Sequence, residues 1–165
     1  MRSRIPSGGF TLIELAVVVG VIIILLAVAT PSLGGMLQER TVYNTAYQLL
    51  ERIRTIQQLA VTHRVGYPTY QMSFDSLNGT YSTTIVGKTI IYRMPPGISF
   101  SVSGLTLATA PVVSFDWRGR PCEGTTATEL TLGFAVTVSN SSDSKQVLVS
   151  VSPVLGRASI VWAAR

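Results

Sequence analysis

From Phe10 to Ala29 apolar side chains fill almost every position, interrupted only by Thr11, Glu14 and Gly20. A segment apolar on all sides reads as a helix in an apolar surround, and its 20 residues rise about 30 Å, the thickness of a bilayer's hydrocarbon. Further on, the pattern narrows to one stripe. Val42, Ala46, Leu49, Ile53, Ile56 and Ala60 recur at spacings of four and three, with Asn44, Gln48, Glu51, Thr55 and Gln58 on the other side, which predicts an amphipathic helix. Between the two halves lie Pro31 and the pair Gly34-Gly35. Each glycine costs about 1 kcal/mol relative to alanine, so a bend or partial melting is expected there. The stripe needs a surface to lie on; a coiled-coil partner is the rival, but the pattern covers too few heptads to prefer it.

From Tyr67 the period becomes two. Tyr70, Met72 and Phe74 alternate with polar residues, and Asn78-Gly79 signals a hairpin before Tyr81 to Val86. Ile98, Phe100 and Val102 follow the Pro95-Pro96-Gly97 break, then Val113, Phe115 and Trp117. Leu130, Leu132, Phe134, Val136 and Val138 precede a polar turn, Ser139 to Lys145, and Val147, Val149 and Val151 come after it; Ile160 and Trp162 close the series. These runs predict about seven strands and no second helix. The fold class is α+β: a long N-terminal helix, half transmembrane and half amphipathic, packed on an antiparallel β-sheet head. The boundaries are 10–30 for the apolar helix, 31–64 for the amphipathic stem and 65–165 for the head.

Charge then sets a direction and raises a question. Arg2 and Arg4 precede the apolar run, so the positive-inside rule leaves them in the cytoplasm and sends the rest across the membrane. Glu14 is out of place in a span, because an acidic side chain at mid-membrane costs about 2.5 to 3.5 kcal/mol. A cleavable secretory signal is one reading: Ala27-Val28-Ala29 has the small-x-small form, Thr30 would begin the mature chain, and the product would be an exported soluble β domain. Glu14 and the nearby Pro31 speak against it.

Gly8, Gly9, Phe10, Thr11, Leu12, Ile13, Glu14 and Leu15 together resemble the class III signal of type IV pilins and pseudopilins. The resemblance implies that residues 1–9 are a leader, that prepilin peptidase cuts between Gly9 and Phe10, and that the new Phe10 amine is methylated. Glu14 becomes the fifth residue of the mature chain and Pro31 the twenty-second, where that family's helix often bends. Glu14 would then pair with the Phe10 amine of a neighbouring subunit and set axial register. The resemblance further implies partners in other pilins or pseudopilins, an inner-membrane assembly platform and, before assembly, membrane lipid; the head would lie in the periplasm. Within the family the head resembles the GspH/FimT group of minor pilins and pseudopilins, on Arg52-Ile53-Arg54, on "SFDWRGRP" with Phe115, Gly119 and Arg120, and on Gly156-Arg157. Major pilins commonly close a C-terminal loop with a disulfide. Cys122 is the only cysteine, which favours a minor component, priming or capping a filament tip.

Composition narrows the chemistry. With 47% hydrophobic against 13% charged residues and a net charge of +5, two of those charges in Arg2 and Arg4, the rest of the chain is too weakly basic to argue for nucleic acid by itself. A single cysteine excludes an internal disulfide and a cysteine-based zinc site. His63, the only histidine, reads as a helix-terminal residue. Asp116, Glu123, Glu129 and Asp143 show no metal-loop spacing and read as solvated loop charges. No nucleophile elbow, P-loop or H-E-x-x-H motif occurs, so neither an enzyme activity nor a cofactor or metal is expected. Some FimT-type proteins are associated with DNA uptake through basic residues late in the head, which makes Arg118, Arg120, Arg157 and Arg165 candidate DNA contacts. Against this, Ser159 stands where DNA-binding relatives carry a further arginine, and the last 55 residues hold five basic against four acidic side chains. Bracing β turns through carbonyls is the competing reading for these arginines.

Overall fold

A computed structural model of the chain describes residues 11–66, 68–105, 111–124, 128–140, 145–154 and 156–162, with the side chains of 28–33 outside the description. One helix, α1, runs Leu12–His63, and ten strands follow among the described residues. Chain contacts divide the molecule into two units, Met1–Leu37 and Gln38–Arg165.

The first unit is the first half of α1. Thr11 caps it: Thr11 Oγ1 accepts the Glu14 N–H at 3.3 Å, satisfying one of the orphan donors of the first turn. Helical hydrogen bonding then continues through Gly34 and Gly35, so the melting expected there does not occur. The glycine cost is small once a long helix has been nucleated on both sides. Among the described residues no helix is long and apolar enough to cross a membrane. The run read as a span, Phe10–Ala29, reaches beyond those residues at Phe10 and at the side chains of Val28 and Ala29.

In the second unit the helical stripe lies where its spacing predicts. Val42, Ala46, Leu49, Ile53, Ile56 and Ala60 are buried, joined by Leu50. They share one core with Met72, Phe74, Val113, Phe115, Phe100, Phe134, Val136, Val138, Val147 and Val149. Phe74 meets the Phe100 and Phe134 rings at centroid distances of 6.1 and 6.4 Å, within the usual range for aromatic pairs. α1 ends in paired main-chain bonds, Val65 N–H to Ala60 O and Arg64 N–H to Val61 O, with Arg64 at φ 55°. This is the Schellman arrangement, with arginine where glycine is usual.

Two antiparallel sheets replace the single sheet of about seven strands expected from the periodicity. The larger runs β3-β2-β1-β5-β6-β7, the smaller β10-β9-β8-β4. β1 (Tyr70–Asp75) and β2 (Thr80–Ile85) form the hairpin signalled by Asn78-Gly79; β4 (Ile98–Ser103), β5 (Val112–Phe115), β8 (Phe134–Asn140), β9 (Gln146–Val151) and β10 (Ala158–Trp162) were also legible. β3 (Lys88–Arg93), β6 (Pro121–Glu123) and β7 (Thr128–Glu129) were not. β3 escaped because its turn is Val86-Gly87, a β-branched residue at φ 50° that reads as strand. β6 and β7 are too short to show alternation. Trp117 and Leu132, expected within strands, lie outside them, 51% and 90% exposed.

Candidate functional site

Most of the described residues singled out by sequence fall in the first turn of α1 or at one corner of the head. At the helix start, Gly9 and Phe10 lie outside the described residues. Glu14 is exposed and stands in the first turn, three residues after its Thr11 cap. That position has a local benefit independent of any partner, since a carboxylate there favours the positive end of the helix dipole. Around and after it the large apolar side chains from Leu12 to Leu26 are all exposed, none by less than 47%. Of Pro31 the structure gives only a helical backbone.

The head corner is built on the β5–β6 turn. Asp116 N–H donates to Arg120 O and Gly119 N–H to Asp116 O, both at 2.9 Å; Gly119 sits at φ 83°. Asp116 Oδ1 accepts the main-chain N–H groups of Arg118 and Arg120 at 2.9 and 2.8 Å. Its Oδ2 receives Arg120 Nε at 2.9 Å and Nη2 at 2.8 Å. The far side of the same guanidinium grips Glu129, Nη1 to Oε2 at 2.7 Å and Nη2 to Oε1 at 2.5 Å. The Asp116 bond chiefly, with Glu129 adding charge, raises the Arg120 pKa further above its ordinary value. The reading of Asp116 as a solvated loop charge is therefore corrected, and Glu129, half exposed in β7, is paired rather than free: one guanidinium ties both across β5, β6 and β7. Two carboxylates also leave Arg120 no net positive charge to offer a phosphate. It braces its turn as expected of the competing reading, but through carboxylates rather than carbonyls.

The late Gly156-Arg157 returns to this same corner. Gln57 Nε2, on α1, donates to Gly119 O at 2.8 Å and Gly156 O at 3.1 Å. A Cβ on Gly156 would collide with Gly119 O, and Gly156 holds φ 59°, so only glycine fits. Nearby on the helix, Arg54 Nη2 donates to Ala158 O at 3.1 Å, and Arg52 lies 4.4 Å over the Tyr92 ring. The motif residues thus meet as a fastening between helix and sheets. Arg157 is exposed beside the glycine contact, and Arg118 stacks its guanidinium 4.4 Å over Trp117. Arg165 and Asp143 lie outside the described residues. Gln57 was missed by sequence reasoning: it flanks the apolar stripe beside Ile56, and nothing in the pattern marks a flanking amide as a clip.

The remaining candidates are local. His63 occupies the last turn of α1, its Nδ1 3.1 Å from Leu59 O and its ring stacked on Tyr70 at 5.6 Å. Cys122 is buried, and burial chiefly, then the charges of Asp116 and Glu129, pushes its thiol pKa up. Glu123 lies in β6. Among the described residues no cluster of His, Cys, Asp and Glu could hold a metal.

By sequence, no family model matches the chain, and no curated protein does. By fold, it is similar to the minor pseudopilin EpsH from the Type 2 Secretion System of Vibrio cholerae, with a TM-score of 0.53 over 78% of this chain and 99% of that one, at 8% identity. At that identity the likeness concerns the fold alone: a long N-terminal helix packed on antiparallel sheets.

Proposed function

We propose that the chain is a minor pilin or pseudopilin of the GspH/FimT kind, a structural subunit that enters or primes the tip of a type IV pilus or a type II secretion pseudopilus. One observation carries the reading. A pseudopilin-like head is preceded by a helix whose large apolar side chains from Leu12 to Leu26 are all exposed, directly after G-F-T-L-I-E. Soluble proteins rarely expose apolar surface on that scale without a partner for it. In this reading prepilin peptidase cuts between Gly9 and Phe10, Phe10 is methylated, and the run from Phe10 holds the subunit in the inner membrane until neighbouring helices replace the lipid around it.

Glu14 then has two tasks. Before assembly it favours the helix N-terminus; within the filament it meets the positive amine of a neighbour's Phe10 and offsets the cost of burying both. The exported-domain alternative would lose the whole apolar run at Ala29. Intact mass of the mature protein separates the two: a chain starting at methylated Phe10 supports the proposal, and a start at Thr30 defeats it. Glu14→Ala is expected to be inserted and cleaved normally but to be lost from sheared filaments. DNA uptake is the less supported reading: Arg120 is committed to Asp116 and Glu129, which leaves Arg118 and Arg157 as the exposed candidates among the described residues.

A further inference from the structure

β3 is the outermost strand of the six-stranded sheet, and among the described residues nothing pairs with its far side. Its register with β2 shows which main-chain groups that side offers. Ile85 pairs with Lys88 across the two-residue turn Val86-Gly87, both at positive φ, 50° and 78°. In such a hairpin the flanking pair exchanges both main-chain bonds, and the pattern alternates outward from it. Lys88, Ile90 and Tyr92 therefore bond inward to β2, in phase with Met94 N–H donating to Gly79 O at 2.9 Å. Thr89, Ile91 and Arg93 turn their N–H and C=O groups to the open edge.

Edges of this kind are ordinarily blunted by shortness, charged side chains, proline or a bulge; β3 carries charge only at its two ends, Lys88 and Arg93. β3 is six residues long and ladders with β2 at every one. It also displays apolar side chains, Ile91 71% and Ile90 41% exposed, beside the turn residue Val86 at 71%. On the outer face Thr89 and Ile91, with Ser73, Asp75, Thr80 and Ser82, border a shallow hollow of about 220 Å³, room for an incoming side chain. Charge selects what can dock. Lys88 and Arg93 stand at the two ends of the strand, both exposed, and Arg52 lies against Tyr92 between them. The carboxylate of the hollow, Asp75, is tied to Asn78 Nδ2 at 2.7 Å and Asn78 N at 3.1 Å. A second copy fits poorly: antiparallel pairing about Ile91 sets each Arg93 opposite Thr89 of the other copy and gathers one Arg93 and one Lys88 at each end of the seam, with no carboxylate of β3 to offset them.

The geometry points to the β3 edge as an acceptor for an extended, acidic strand contributed by another protein, docking by β-augmentation. Main-chain bonds to Thr89, Ile91 and Arg93 supply the attachment, and the basic ends select a strand with carboxylates. This stands apart from the filament role, which rests on the exposed apolar side chains from Leu12 to Leu26.

The test uses the full chain in detergent micelles, with residue-resolved amide hydrogen exchange as the readout. The probes are a synthetic peptide of alternating valine and glutamate and its counterpart of valine and lysine. The acidic peptide is expected to slow exchange at Thr89, Ile91 and Arg93 by about tenfold or more at saturation, leaving Lys88, Ile90 and Tyr92 as they were. Ile91→Pro deletes an outward N–H without breaking a β2 bond, and is expected to abolish that protection while exchange in the core is unchanged. Lys88→Glu with Arg93→Glu is expected to transfer the preference to the lysine peptide. Equal protection by both peptides, protection by neither, or protection of these amides that grows with protein concentration alone, the mark of a second copy, overturns the proposal.

Discussion

Gln57 fastens the head in a way no apolar residue could, because one amide nitrogen serves two buried carbonyls from turns 37 positions apart, Gly119 and Gly156. Gln57→Ala leaves both without a donor and is expected to cost about 1 to 3 kcal/mol, read as a lower midpoint in urea. Gln57→Glu is expected to cost more, since a carboxylate facing two carbonyl oxygens has nothing to donate. Gly156→Ala meets both a positive φ and the Gly119 carbonyl, and is expected to destabilise by about 3 kcal/mol or more. Cys122 gives a different readout. Its folded-state pKa is raised, so its contribution to stability is complete below the unfolded thiol value and fades above about pH 8.5. In the native protein at neutral pH it should resist alkylation and react only on unfolding, which mass spectrometry of the labelled chain detects.

Two elements end against the grain of their residues. Arg64 holds the left-handed position that closes α1, and Val86 holds one in the β2–β3 turn, where glycine and asparagine are the favoured occupants. Arg64→Gly and Val86→Asn are each expected to stabilise the head by about 0.5 to 1 kcal/mol, measured as a rise in melting temperature. These misfits also explain what the pattern hid. The stripe from Val42 to Ala60 was legible because six apolar positions at helical spacing share one face and all are buried. β3 was not, because a valine in a turn looks like one more strand residue. The three-residue β6 and two-residue β7 carry too few side chains for alternation to register, and are held by the Arg120 bridge between Asp116 and Glu129.

The whole molecule divides by solvent. Every core residue among those described lies within Gln38–Arg165, whereas the described large apolar side chains between Leu12 and Leu26 are exposed. A fragment beginning at Gln38 is therefore expected to fold on its own with one cooperative urea transition, followed by near-UV circular dichroism; a non-cooperative profile would show that the first half of the helix is needed for the head. Gln38 is an apt start, since the head holds it: Asn140 Nδ2 donates to Gln38 Oε1 at 3.5 Å, and Lys145 pairs with Glu39 at 3.2 Å.

Taken alone, the sequence determined what repeats along the chain: an all-round apolar run, a stripe of period near 3.6, and alternating runs that make an α+β protein. It also marked the G-F-T-L-I-E start, since contiguous motifs need no folding to be read. Only the tertiary structure decided that the strands form two sheets, that Asp116 and Glu129 share one guanidinium, that Gly119 and Gly156 meet under Gln57, and which strand is left with an open edge. Each of these depends on residues far apart in sequence, and periodicity describes neighbours on one element rather than the element that lies across from them.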